Sequence, residues 1–196
     1  FDWFVGVAPD FPADFANKIT TSLGGVGQVV RIDCQADSCI WQPVLRGTCG
    51  TQMLTSRLDS DDALHRDYVR NIRSAASAAI GRNNPLLVPQ RGLVYSERHR
   101  RLGLHNAEFP PFYALLSSSH HTVYDLGDHS QLSGSTSISY APVAIHMPMW
   151  LQVMHGSNVS NTFTDRYWPV RNTYIQNVEP SWASLPTQVK VLRHFA

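Results

Sequence analysis

The chain has 196 residues, enough for one domain with a sizeable core and too few for two comfortable ones. Hydrophobic residues make up 43% and charged residues 16%, a globular mix that excludes an intrinsically disordered chain. The formal net charge of +1 gives no support for nucleic-acid binding, which shows as a basic face.

Phe1 to Val7 is apolar, aromatic and β-branched, which predicts a buried strand. The chain opens on Phe1 rather than Met, on a segment that reads like an interior strand. A fragment, or a chain lacking its first part, is therefore expected, and no signal peptide is visible. Pro12 opens a helical pattern in which Phe15, Ile19 and Leu23 share one face, and Gly24-Gly25 ends it. Gln28 to Ile32 reads as a second strand. Asp33 to Gly50 is turn-rich, a loop with a short helix. Its cysteines, Cys34, Cys39 and Cys49, have no zinc spacing and make no disulfide framework; Cys34 and Cys39 could pair in an oxidising compartment, but the odd count suits a cytoplasmic location better.

Thr51 to Arg57 reads as a strand, Leu58 to Asp62 as a tight acidic turn. A helix is expected next, with Leu64, Tyr68, Ile72, Ala75 or Ala76, and Ala79 on one face and Gly81 at its end. Asp61 or Asp62 is placed to cap it. Leu86–Val88 and Gly92–Tyr95 read as strands around Pro89-Gln90-Arg91. Ser96 to Asn106 is polar and basic, a mobile loop. Its run Arg98-His99-Arg100-Arg101 is either a solvated surface or a segment that meets an anionic substrate. Phe109 to Leu116 reads as the start of a short helix, Thr122-Val123-Tyr124 as a strand, and Gly127 to Ser137 as a loop. Ala141 to Val153 is apolar but broken by His146 and two prolines. No stretch reaches the roughly 18 apolar residues that span a bilayer. Gly156 to Asn161 reads as a polar turn, and Trp168 and Trp182 in the tail are expected to pack on the body. The strand–helix alternation predicts an α/β fold in a single domain over residues 1–196, with no repeat and no linker.

The acidic turn carries the chemistry. Asp59, Asp61 and Asp62 lie within four residues at the carboxyl end of a strand, where ligands collect in open α/β sheets. Such carboxylates repel one another, and a hard divalent cation that shares its shell with phosphates relieves the repulsion. Arg57 is placed to pair with an Asp or a phosphate. The bland alternative is a helix cap in a solvated turn.

The run Thr55-Ser56-Arg57-Leu58-Asp59-Ser60-Asp61-Asp62-Ala63-Leu64 resembles the signature of the putative rhamnosyltransferase family, which is similar to bacterial glycosyltransferases of the GT-A fold. A second block, Met149 to Asn161, resembles the family's tryptophan–histidine–glycine–asparagine segment. Phe1 to Val5, Pro111-Phe112 and Thr122 to Tyr124 agree more weakly. The resemblance implies a mostly parallel sheet flanked by helices. The strand and helix with which a GT-A domain normally opens are not visible in this sequence. It also implies that His155 joins Asp59 and Asp61 on a Mn²⁺ or Mg²⁺ ion, that Arg57 meets the diphosphate of a nucleotide-sugar donor, and that the acceptor is a glycan or lipid-linked. Asp62, Trp150, Asn158 and Asn161 are the further substrate-binding candidates. An inverting transfer needs a carboxylate base. Asp125 ranks first, since it follows the Thr122 segment, with Asp128 and Glu108 behind it. A binding module without catalysis and a metal-dependent phosphohydrolase are the other readings of the same residues.

Overall fold

The computed structural model describes residues 2–32, 52–118, 121–126, 132, 138–155 and, for the main chain alone, 168–169. The chain divides into two compact units, Phe1–Cys49 and Gly50–Ala196.

The first unit contains a strand–helix–strand motif. Strand β1 (Trp3–Val7) pairs in parallel with β2 (Gly27–Arg31), Val5 opposite Val29, and helix α1 (Ala13–Ser22) connects them. The elements fall where periodicity predicts them. Pro12 stands at the N-cap, and Gly24 and Gly25 take the positive φ that ends a helix cheaply only at glycine. The Arg31 guanidinium closes the β1–α1 loop by donating to the carbonyls of Pro9 and Phe11 at 2.6 and 2.9 Å.

The second unit holds two mixed sheets. One has the order β11-β7-β6-β10-β4, built from β4 (Ala63–Leu64), β6 (Arg91–Ser96), β7 (Arg101–Asn106), β10 (Trp150–Met154) and β11 (Trp168–Pro169). The other has the order β3-β8-β5-β9, built from β3 (Met53–Ser56), β5 (Pro85–Val88), β8 (Ala114–Ser117) and β9 (Ser139–Pro142). β10 runs parallel to β6, and β5 to β9; β4–β10, β6–β7, β7–β11, β3–β8 and β5–β8 are antiparallel. The fold is α/β as expected, but its sheets are mixed where a mostly parallel sheet was expected.

Helix α2 (Tyr68–Ala78) buries Tyr68, Ile72 and Ala76. These join Leu87 of β5, Ala114 and Leu116 of β8, Val94 of β6, and Trp150 and Met154 of β10 in one apolar cluster. Alternate residues of the same strands form separate clusters: Leu86, Val88 and Leu115 in one, Leu93 and Leu151 with Leu102 of β7 in another. That alternation is the period of a pleated strand covered on both faces. Trp150 lies across β6 at Gly92, where a Cβ would collide with the indole ring.

Several local expectations are corrected. Residues 101–106, within the expected loop, form β7, paired residue for residue with β6. The apolar run before Ser117 ends in strand β8, not a helix. Residues 123–126 form a 3₁₀ turn, not a strand. Strand β4 intervenes between the acidic turn and α2, so Asp67, rather than Asp61 or Asp62, stands at the helix N-cap. Residues 33–50, with the three cysteines, lie outside the described residues. So do Trp182 and the side chain of Trp168, although the Trp168 backbone pairs with Leu104. Among the described residues no helix is long and apolar enough to cross a membrane.

Candidate functional site

The two blocks singled out in the sequence meet through β4. Strand β3 leads into Arg57 and Leu58, and the chain then reverses in a turn closed by the Asp62 N–H donating to the Asp59 carbonyl at 3.2 Å. Ala63 and Leu64 pair with Leu151 and Trp150 of β10. That register sets the acidic turn beside the carboxyl end of β10, from which His155 projects.

Two contacts lock this arrangement. The Val153 backbone N–H donates to Asp62 Oδ1 at 2.8 Å. His155 Nε2 lies 2.9 Å from Asp61 Oδ2, joining residues 94 positions apart, and both side chains are about a third exposed, at 30% and 33%. A partly exposed pair of this kind is reachable from solvent and from a ligand. Asp59 is exposed at the same turn. Among the described residues no three His, Cys, Asp or Glu side chains gather closely enough to hold a metal by themselves. The donors that do converge are a carboxylate and an imidazole. Asp59 does not join them closely enough to complete the expected three-ligand set.

Charge is managed unevenly across the turn. Burial pushes the Asp62 carboxyl up to about 7, opposed by the Val153 N–H and by His155, and reinforced by the neighbouring Asp61 and Asp59. Arg57 Nε is buried with no hydrogen-bond partner among the described residues. Such a donor carries a desolvation cost of about 1–3 kcal/mol until an acceptor reaches it. Burial raises the Tyr124 hydroxyl above its ordinary range, with Arg57 opposing the rise and Asp59 adding to it. Both charges therefore lie within electrostatic reach of that ring.

Tyr124 belongs to the 3₁₀ turn, which is fastened to β3 by the Val123 N–H donating to Thr55 Oγ1 at 3.1 Å. Asp125 Oδ2 accepts from the Thr122 N–H and hydroxyl at 2.6 and 3.1 Å, and Thr122 Oγ1 accepts in return from Tyr124 N at 3.2 Å. This reciprocal capping occupies one oxygen of Asp125. Glu108 is exposed, beside Tyr140, whose hydroxyl donates to the Glu108 carbonyl at 3.0 Å.

Trp150 is corrected from a substrate-binding residue to a core residue. Its side chain is fully buried, its ring stacks on Phe112 at 4.9 Å, and its Nε1–H donates to the Pro89 carbonyl at 2.7 Å. No face is left for a sugar. Asp128, Asn158 and Asn161 lie outside the described residues. Reading the sequence missed the backbone N–H of Val153 as a clamp, for which no side-chain signal exists. It also missed the Thr122-x-x-Asp125 capping box, which is written in the sequence.

A family model described as putative rhamnosyl transferase matches residues 1–167. The chain belongs to that family. The match takes in both the acidic turn and the His155 strand. Its description makes the family one of glycosyltransferases, which implies a sugar donor and an acceptor. No curated protein and no solved structure matches the chain.

Proposed function

We propose that this member of the rhamnosyl transferase family is a GT-A-like glycosyltransferase that moves a sugar from a nucleotide-sugar donor to a glycan or lipid-linked acceptor. The approach of His155 to Asp61 across 94 residues carries the reading, since it joins the two blocks on which the family resemblance rests. Asp61 and His155, with Asp59 beside them, are the residues that would hold Mn²⁺ or Mg²⁺. The ion would supply positive charge to the departing diphosphate.

The protein's own groups divide the remaining work. Arg57 offers its buried Nε–H to a phosphate oxygen, an acceptor that would relieve the cost of leaving that donor unmet. Asp62 positions the site: it ties the acidic turn to Val153 and so fixes the distance between Asp61 and His155. In the transfer, the acceptor oxygen bonds to the anomeric carbon as the bond from that carbon to the diphosphate breaks. The acceptor proton passes to a carboxylate. Asp125 takes this role in the reading because it follows Tyr124 in the 3₁₀ turn, and Arg57 and Asp59 both act electrostatically on Tyr124. Asp128 is the second candidate.

The test is a panel of nucleotide sugars screened for Mn²⁺-dependent thermal stabilisation, followed by transfer with and without EDTA. Stabilisation by at least one donor, lost in Asp61→Ala and in His155→Ala, is expected. Transfer that survives both EDTA and Asp61→Ala sinks the metal-assisted reading. Nucleotide-sugar hydrolysis with no need for an acceptor would make the protein a phosphohydrolase. Absence of any nucleotide binding would make it a non-catalytic module.

A further inference from the structure

We propose that His65 is an acid-sensitive joint: while neutral it ties β4 to helix α2 and so anchors the strand that carries the acidic turn, and protonation undoes the tie.

His65 lies between the two elements and bonds to both. Its N–H donates to the Met149 carbonyl at 2.9 Å, one rung beyond the Leu64–Trp150 pair of β4 and β10. Its carbonyl accepts from the N–H of Tyr68, the first residue of α2, at 2.7 Å. Its ring nitrogen Nδ1 accepts from the Asp67 N–H at 3.2 Å. Asp67 is the N-cap of α2 and makes no side-chain cap bond, so the imidazole satisfies an N–H at a helix end that has no other cap. His65 is only 3% exposed. Strand β4 consists of Ala63 and Leu64 alone, so this joint holds one end of a very short strand whose other end is the acidic turn.

The Asp67 bond fixes the charge of the ring. A backbone amide can only donate, so Nδ1 must offer a lone pair, and the proton of the neutral ring sits on Nε2. Protonation would make Nδ1 a donor facing a donor. Asp67 Oδ2 lies 3.9 Å from Nδ1, beyond hydrogen-bond reach, and Asp67 Oδ1 already takes Arg70 Nη2 at 3.1 Å. Arg66, next in the chain, is exposed. From α2, the uncharged Asn71 reaches Met149 Sδ. From β10 and the residue before it come Met149, Trp150 and Leu151, all uncharged. From β6 comes Arg91, whose carbonyl receives the Met149 N–H at 2.8 Å. His155 lies six residues beyond Met149, roughly 20 Å along β10. Asp67 alone favours a charged ring, and burial and the arginines oppose it. Folding therefore holds His65 neutral where the unfolded chain takes up a proton. Its contribution to stability is full above about pH 6.5 and is lost as pH falls below that value.

The test uses the full chain in EDTA. Heteronuclear NMR of the histidine rings is expected to show His65 as the Nε2-protonated tautomer at pH 8. Its protonation is expected at lower pH than that of the exposed His146 in the same spectra. As it protonates, the His65 and Asp67 amides are expected to lose protection from hydrogen exchange. His65→Asn keeps an oxygen that accepts an N–H two residues on, and it cannot titrate. In urea, the unfolding constant of the wild type is expected to rise about tenfold or more relative to His65→Asn between pH 7 and pH 5. An Nδ1-protonated ring at pH 8 overturns the proposal. So does protonation of His65 before His146, which would make the ring an ion-pair partner of Asp67. Parallel pH profiles of the wild type and His65→Asn overturn it as well. Should the variant fail to fold, the ring spectra of the wild type decide alone.

Discussion

Asp62 and Arg57 lie five positions apart in one turn and pose opposite problems of charge. Asp62 is a carboxyl whose ionised form is disfavoured by burial, with its pKa moved from 3.8 to about 7. Below pH 4 it is protonated whether the chain is folded or not, so it leaves stability unchanged. Between about pH 4 and about pH 7 the folded chain keeps a proton that the unfolded chain has released. Stability therefore falls as pH rises through that window, and the loss is complete above it. Asp62→Asn keeps an oxygen for the Val153 N–H and cannot ionise. In EDTA-treated protein it is expected to match the wild type in urea unfolding near pH 4 and to exceed it at pH 8; parallel pH profiles would refute the assignment. Arg57 has the reverse defect, a buried donor with no acceptor among the described residues. Arg57→Met is expected to leave thermal stability equal or higher while weakening Mn²⁺–nucleoside diphosphate binding about tenfold or more, as loss of one charge-assisted hydrogen bond implies. At this scale the sequence was legible where chemistry depends on side chains. The family resemblance implied that His155 meets Asp59 and Asp61, and His155 lies beside Asp61. Trp150 was misread because an indole next to a histidine looks the same in sequence whether it faces a sugar or the core.

Among the elements, β10 carries the most. Its Trp150 and Met154 belong to the core, while its Val153 N–H and the residue after its end belong to the site. Substitutions that disturb its seat on β6 should reach both. Gly92→Ala forces a methyl group into the indole of Trp150, and overpacking of this kind costs about 1–3 kcal/mol. The expected readout is a lower melting temperature together with weaker Mn²⁺–nucleotide binding; a fall in melting temperature with unaltered binding would separate site from core. The helices were the easiest elements to read, because Tyr68, Ile72 and Ala76 repeat at helical spacing. Strand β8 was misread because a short, wholly apolar run fits a buried strand and a buried helix equally well. Strand β7 was hidden by its basic opening, since the eye follows Arg98 to Arg101 rather than the alternation of Leu102 and Leu104. The 3₁₀ turn was hidden by β-branched and aromatic residues, although its capping box was present.

At the scale of the molecule, the sheets explain what periodicity could not supply. Alternation predicts strands and not partners, and here the partners are distant: β10 bonds to β6 and to β4, far back along the chain. The α/β class was legible, and the mixed pairing was not, because direction is set by connections that local pattern does not record. A site assembled over such separations exists only in the folded chain, so its ligand should stabilise the whole. At a free concentration of about 100 times Kd the gain is about 2.7 kcal/mol. For a chain of this size that corresponds to a rise of roughly 5–10 °C in Tm. The rise is expected with Mn²⁺ and the correct nucleotide sugar in differential scanning calorimetry, and no rise in Asp61→Ala.

The bond from the Val153 N–H to Asp62 has a spectroscopic consequence. A single amide proton reports the charge of the carboxyl that clamps the site. Its resonance should move with pH along the titration of Asp62, while its exchange with solvent should slow whenever the turn is held shut. Following that one proton by heteronuclear NMR, with and without Mn²⁺ and nucleotide, would read the state of the site from the edge of the strand that also forms the core.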